Sequence, residues 1–296
     1  MHTILLAVSL LWLQLFVALI PTWRDAEYYS YGWFVPFLFA GLAWRRWQLL
    51  EPGPPATARL PRLAIVLLAA AVVLLVPLRL IGSADPGWRP PLLLHATLVV
   101  ALTHTLLWHG WGKRISLGFA PVTLIALAAV PYPWQLEQSL IRSLTGLVIG
   151  ITREVFLLTG QPVEILGERL AMGTEVVEVT DGCSGIRSLQ SLVMVALFFG
   201  ELFLLPTSRR LLLIFLAGLS ALIFNTLRAF WLASVHFNEG IQAADAAHDR
   251  IGHTTFLLSA ATLWLAAYAL LHSQPRRLLQ RTVCQESEVR DLKSEI

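Results

Sequence analysis

Charge is scarce in this chain. Aspartate, glutamate, lysine and arginine together make up 14% of its 296 residues, where a soluble domain carries about 25%. A water-soluble globular protein is thereby excluded. Cysteine is rarer still, with Cys183 and Cys284 alone. The distribution of basic residues along the loops puts them on opposite sides of a membrane, so no disulfide framework exists. The first 20 residues lack a basic leading segment and a small-residue cleavage site, and they read as a first membrane span, not a signal peptide. No internal repeat is evident. What the chain has in plenty is apolar: 56% hydrophobic residues and a mean hydropathy of +0.66, the composition of a polytopic membrane protein. The formal net charge of +3 implies no nucleic-acid partner, because basic residues gathered on one membrane face produce such an excess. The partner it does imply is the lipid bilayer.

A spanning helix needs roughly 20 apolar residues. The runs that approach this are about 3–20, 33–50, 62–82, 91–108, 115–131, 184–205, 210–234 and 252–272. The second is the weakest, interrupted by Pro36 and crowded at its end by Trp44, Arg45, Arg46 and Trp47. With the N-terminus inside, the inner loops hold Arg45, Arg46, Arg59 and Arg62, then Lys113 and Arg114, then Arg209 and Arg210. The inner tail adds Arg276, Arg277 and Arg281. Eight spans with both ends inside therefore satisfy the positive-inside rule at every short loop.

Two segments stand apart from the spans. Trp134 to Gly160 has a helical pattern but carries Glu137, Arg142, Arg153 and Glu154. It reads as an amphipathic helix on the outer surface; a spanning helix is the alternative, and it would reverse the downstream loop bias. Between Pro162 and Thr180 the pattern partly alternates around Gly173, which fits a short β-hairpin or a plain loop. The expected fold is an all-α polytopic membrane protein with about eight transmembrane helices, an outer-surface amphipathic helix and a short hairpin before Cys183. Residues 1–272 form one integral-membrane domain and 273–296 a polar cytoplasmic tail.

Three places could carry chemistry. Cys183 lies in Asp181-Gly182-Cys183-Ser184-Gly185-Ile186-Arg187-Ser188, at the start of a span. A lone cysteine in an apolar protein is usually a small hydrophobe. A helix N-terminus and a nearby cation, however, favour the thiolate, and Arg187 falls on the same helical face as Cys183. Arg228 sits inside an apolar run, about six residues (~9 Å) from its outer end. An intramembrane arginine normally faces a polar interior; snorkelling to the surface is the competing reading. Asn225 lies one turn away on the same face. In His248-Asp249-Arg250-Ile251-Gly252-His253, His248 shares a face with Gly252 and Phe256, whereas His253 points away. His248 is thus the better base, with Asp249 or Asp245 to orient it. The two histidines are five apart, not the i, i+4 of a helical zinc pair, so no metal and no other cofactor is expected. By this topology Cys183, Arg228 and His248 come from three consecutive spans and fall at one membrane face.

Cys183 to Ser188, Asn225-Thr226-Leu227-Arg228 and His248-Asp249-Arg250-Ile251-Gly252 resemble the three signature segments of the exosortase/archaeosortase family. The stretch from Trp23 to Pro36 resembles the entrance segment of bacterial exosortases, with Tyr31 where that group carries a histidine. The resemblance implies a membrane cysteine transpeptidase in the bacterial cytoplasmic membrane, with its active site at the outer face. Its partners would be membrane-anchored proteins with a C-terminal sorting signal of Pro-Glu-Pro type. It would cleave that signal through a thioester, in connection with exopolysaccharide and cell-surface assembly. Cys183, Arg228 and His248 would be catalytic, and Arg187, Asn225, Ser184 and Asp249 would contact the substrate. The rival reading is a non-enzymatic transporter or scaffold of polysaccharide export; broken spans in matched halves, which a transporter often shows, are not found.

Overall fold

In lipid, a chain with few charges can satisfy its backbone only as helix or closed barrel, and the long Leu-, Ala- and Val-rich runs here are helices. The computed structural model describes residues 2–25, 28–55, 62–85, 87–178 and 185–273. Its elements are α1 (His2–Asp25), a 3-10 turn (Ser30–Phe34), α2 (Val35–Leu50), α3 (Arg62–Ala84), α4 (Arg89–Leu127), α5 (Trp134–Leu158), β1 (Glu164–Leu166), β2 (Arg169–Met172), β3 (Glu175–Glu178), α6 (Ile186–Leu202), α7 (Thr207–Glu239) and α8 (Ile241–His272). The tail expected at 273–296, with Cys284, lies outside the described residues from 274 onward.

The expected count of about eight spans is not reached. Among the described residues four helices are long and apolar enough to cross a membrane: Thr3–Asp25, Arg89–Leu127, Thr207–Glu239 and Ile241–His272. Ala69–Ala84 is apolar but shorter. Helices α2 and α6 have 16 and 17 residues, short of the roughly 20 that a hydrocarbon core requires. The 39-residue α4 is not straight. Gly112, at φ 83°, ψ 175°, breaks it, and His104 Nε2 lies 3.2 Å from Thr123 Oγ1 while Ser116 Oγ donates to the His104 carbonyl at 3.0 Å. In one continuous helix, residues 104 and 123 would stand about 28 Å apart. The two arms therefore fold back on each other, next to Lys113 and Arg114 where the sequence places a turn.

Basic residues collect at one end of this bundle. The buried Glu201, near the end of α6, pairs with Arg46 at 2.6 Å and with Arg210 at 2.9 Å, tying α2, α6 and α7 together. Arg45 donates to the Glu201 carbonyl, and Arg209 to the carbonyls of Leu270 and Ser273 at the end of α8. The Gly112 turn is at the same end, where Trp47 meets Trp111 edge-on and Leu50, Ile115 and Phe119 pack alongside. Replacing Glu201 by alanine leaves two guanidinium groups facing each other without their carboxylate. The expected cost is about 3 kcal/mol, read as a lowered thermal midpoint in detergent; an unchanged midpoint would show that the three helices do not depend on this pair.

Helix α5 closes the opposite end. In its first turn Glu137, 1% exposed, accepts from the Tyr29 hydroxyl at 2.5 Å and from Arg89 Nη2 at 2.7 Å. Burial, and then the bond to Glu137, raise the Tyr29 phenol well above its ordinary pKa, so it stays a donor across physiological pH. In its last turn Phe156 packs against Phe230 and Phe237 of α7. Tyr29 precedes α2 and Arg89 begins α4, whose far portions carry Arg46 and the Gly112 turn. Phe237 lies near the end of α7, which starts beside Arg210. Both ends of α5 thus meet the end of the bundle opposite Arg46 and Arg210.

The sheet follows α5. The sequence suggests one hairpin around Gly173; the structure has two. Gly167 and Gly173, at φ 66° and 63°, each open a two-residue turn, and β2 pairs antiparallel with β1 and β3 (Leu166 opposite Arg169, Met172 opposite Glu175). Such tight turns need a positive φ that glycine adopts without strain. Leu170 of β2 is fully buried with Ile149, Phe156, Val163 and Ala233, fixing the sheet on α5 and α7.

Candidate active site

The starts and ends of three helices meet at the end that α5 covers. Gly185, at φ 83°, ψ 5°, precedes the first turn of α6, and its carbonyl accepts from Leu189 at 2.9 Å. A Cβ on Gly185 would lie 2.7 Å from Asn225 Cγ, so both its backbone angle and its neighbour exclude a side chain. Asn225 of α7 is 5% exposed and holds the start of α6 against α7. One turn further along α7 is Arg228.

Arg228 faces α8. Its Nη2 lies 2.9 Å from His248 Nε2, and His248 Nδ1 lies 3.1 Å from Asp249 Oδ1. A guanidinium nitrogen can only donate, so Nε2 accepts and Nδ1 carries the proton, which it donates to Asp249. The two contacts together fix the roles of the ring nitrogens. Asp249 is 89% exposed on its side chain, so its hold on the ring is screened by solvent. Asp245, the other acid considered for this role, lines a neighbouring groove. Across from the guanidinium is Gly252, whose missing Cβ would stand 3.5 Å from Arg228 Nε; here α8 offers bare backbone and the guanidinium lies flat against it.

These groups open into a cleft of about 260 Å³ whose wall includes Arg187, Ser188, Ser191, Arg228, His248 and His253. Helical phase points His253 away from His248, yet it lines the cleft as well, since the cleft is broad enough to take in the adjoining face of α8. Of the two histidines, His248 is the one bonded to Arg228 among the described residues. Ser191 follows Arg187 at i+4, a helical spacing from which it could have been read. A second groove, about 590 Å³, runs from His248 between β3 and the turn joining α7 to α8, past Glu178, His236 and Asp245. No sequence pattern announces this groove, because it depends on how the sheet sits on α7.

Some expected positions fall elsewhere. Arg228 and His248 lie deeper in their helices than the hydropathy runs imply, because α7 and α8 extend to Glu239 and back to Ile241, with Gly240 between them. Tyr31 donates to the Ala128 carbonyl at 2.7 Å, joining the 3-10 turn to the end of α4, and is not part of the cleft lining. Asn225 is packed beneath Gly185 and does not line the main cleft. Cys183 and Ser184 lie outside the described residues. Among the described residues no group of three His, Cys, Asp or Glu side chains is placed to hold a metal ion.

The model of one known family, described as transmembrane exosortase, matches residues 23–265, a span that takes in α2 through most of α8. No curated protein and no solved structure matches the chain.

Proposed function

The chain belongs to the transmembrane exosortase family, and from that membership we propose that it acts as a membrane cysteine transpeptidase with Cys183 as nucleophile. The observation that carries the proposal is the contact of Arg228 Nη2 with His248 Nε2 at 2.9 Å on the cleft wall. In the sequence Cys183 stands two residues before Gly185, and Gly185 packs on Asn225, one turn from Arg228. A thiol, a proton acceptor and a fixed cation are the three groups that acyl transfer through a thioester requires.

His248 Nε2 takes the thiol proton and Cys183 sulfur attacks the scissile carbonyl carbon, forming the S–C bond. As a carbonyl oxygen enters the cleft, an Arg228 N–H turns from Nε2 to that oxygen and carries its developing negative charge. When the C–N bond breaks, His248 passes its proton to the departing amine, leaving an acyl thioester on Cys183. An acceptor nucleophile then attacks the thioester, His248 takes its proton, and the thiolate leaves. Arg187, on the same cleft wall, supplies a second cation for the oxyanion or for a substrate carboxylate. Asn225 holds the start of α6 in place, and Asp249 orients the His248 ring.

The substrates are exported proteins whose C-terminal signal carries a Pro-Glu-Pro motif before a hydrophobic span, and the reaction serves cell-surface and exopolysaccharide assembly. The arginine-rich end of the bundle supports an orientation in the bacterial cytoplasmic membrane. With Arg45, Arg46, Arg209 and Arg210 inside, the cleft faces outward. Residues 1–272 act as one integral domain, and 273–296 as its cytoplasmic tail.

A tagged reporter bearing such a signal, incubated with membranes containing the chain, tests the proposal. Arg228→Gln is expected to lower turnover by about 10²–10³-fold, the loss associated with removing one oxyanion donor, with a much smaller change in KM. Turnover at the full rate by this variant would remove Arg228 from the chemistry.

A further inference from the structure

Away from the cleft, between α1, α3 and the first arm of α4, is a smaller cavity of about 80 Å³ whose wall includes Val17, Thr22, Arg79, Ser83, Trp88 and His95. Among the described residues, an arginine and a histidine line it without an acid. His95 is 1% exposed, and its Nε2 has no hydrogen-bond partner among the described residues. Arg79 Nη1 donates to the Gln14 carbonyl at 3.0 Å, and among the described residues no carboxylate lies within ion-pair distance of it. A buried polar atom left unbonded costs about 1–3 kcal/mol, and an arginine in an apolar helix calls for a counter-charge. The cavity is therefore built for an anion that the chain itself does not supply.

Its position says which kind. Arg79 is five residues before the end of α3, about 7.5 Å along the helix, and Trp88 at the rim is 52% exposed. An exposed tryptophan beside a shallow arginine marks the headgroup level of a bilayer. Below the rim the surface is apolar and open, with Leu13 59%, Val17 41% and Val76 60% exposed, a flank that acyl chains would cover. We propose that this cavity binds the phosphate of an anionic membrane lipid, the guanidinium of Arg79 taking the phosphate oxygens and His95 Nε2 donating a further bond, with the acyl chains along α1 and α3. A guanidinium suits phosphate because its planar fork can meet two oxygens at once. This site does not depend on the transpeptidase reading.

The test is native mass spectrometry and thermal unfolding of the full chain in neutral detergent, titrated with phosphatidylglycerol, with diacylglycerol, which lacks the phosphate, or with inorganic phosphate. Wild-type chain is expected to retain one phosphatidylglycerol and to gain thermal stability with its concentration, and to do neither with diacylglycerol or inorganic phosphate. Arg79→Gln should bind about tenfold more weakly, as expected for losing one charge-assisted bond, while Arg79→Lys keeps the charge without the fork and falls between. Thr22→Val, which leaves both nitrogen groups in place, should retain the lipid. Equal retention by wild type and both Arg79 variants would overturn the proposal, as would equal stabilisation by diacylglycerol. Protection by inorganic phosphate matching that of the lipid would overturn the lipid as occupant.

Discussion

Replacing Cys183 by alanine is expected to abolish processing of a signal-bearing reporter, by more than about 10³-fold, while the chain still inserts into the membrane and keeps its thermal midpoint. The size of the effect follows from covalent catalysis. Without sulfur there is no thioester, and the remaining Arg228 and His248 can only polarise a carbonyl that water must then attack. Serine at position 183 should fail nearly as completely. Its hydroxyl is a far weaker acid than a thiol of pKa about 8.5, and the His248 imidazole is held by a solvent-exposed carboxylate, a weaker arrangement than a buried triad. Equal processing by wild type and Cys183→Ala would move the chain to the scaffold or transporter class.

His248→Ala is expected to cost about 10²–10⁴-fold in turnover, the range for loss of a positioned general acid–base, whereas His253→Ala should stay within a few-fold of wild type. The contrast matters because both imidazoles line the cleft. Among the described residues His253 has no hydrogen bond to orient it, while His248 is held at both nitrogens, by Arg228 and by Asp249. Proton transfer needs a defined tautomer and a ring held in place, and only His248 has both. A large loss in His253→Ala with normal turnover in His248→Ala would reverse the assignment. The amine-leaving step carries most of the predicted loss, so a reporter with a better leaving group should recover part of the rate in His248→Ala but none in Cys183→Ala.

Much of this arrangement is legible in the amino-acid sequence. Arg228 and Asn225 stand out because charge and amide are costly in an apolar run, and a shared helical face is fixed by 3.6-residue spacing. His248 follows from the same periodicity, through Gly252 and Phe256. The helical pattern of α5 is legible too, but the burial of Glu137 between Tyr29 and Arg89 is not, because both partners come from distant parts of the chain. Legibility ends where contacts between elements decide. The strand Arg169–Met172 has no alternating pattern of its own; the sheet and the burial of Leu170 against Phe156 select it. Helices α7 and α8 run past their hydropathy limits because each covers the other up to the Gly240 turn, so polar residues such as His236 and Asp245 are helical although no apolar run includes them. Hydropathy also does not set helix length: α2 and α6 are apolar but have 16 and 17 residues, held by Arg46, Glu201 and Arg210 at the basic end. His253 reaches the cleft although its helical phase differs from that of His248, because the width of a cleft depends on its other wall, here α6.

Gly185 shows the same limit. In the sequence it is one of two glycines beside a cysteine. In the fold its positive φ and its contact with Asn225 set where α6 begins relative to Arg228. That is why the residues from Gly185 onward join the same cleft wall as α7 and α8.

The thioester itself can be sought during turnover. Membranes containing the wild-type chain would process the reporter in the presence of hydroxylamine, and the new C-terminus would be read by mass spectrometry. A thioester on Cys183 is intercepted by this nucleophile, so the released reporter should end in a hydroxamate, in an amount that rises with hydroxylamine and vanishes in Cys183→Ala. A product ending only in a carboxylate at every hydroxylamine concentration, formed equally well by Cys183→Ala, would contradict acyl transfer through this cysteine.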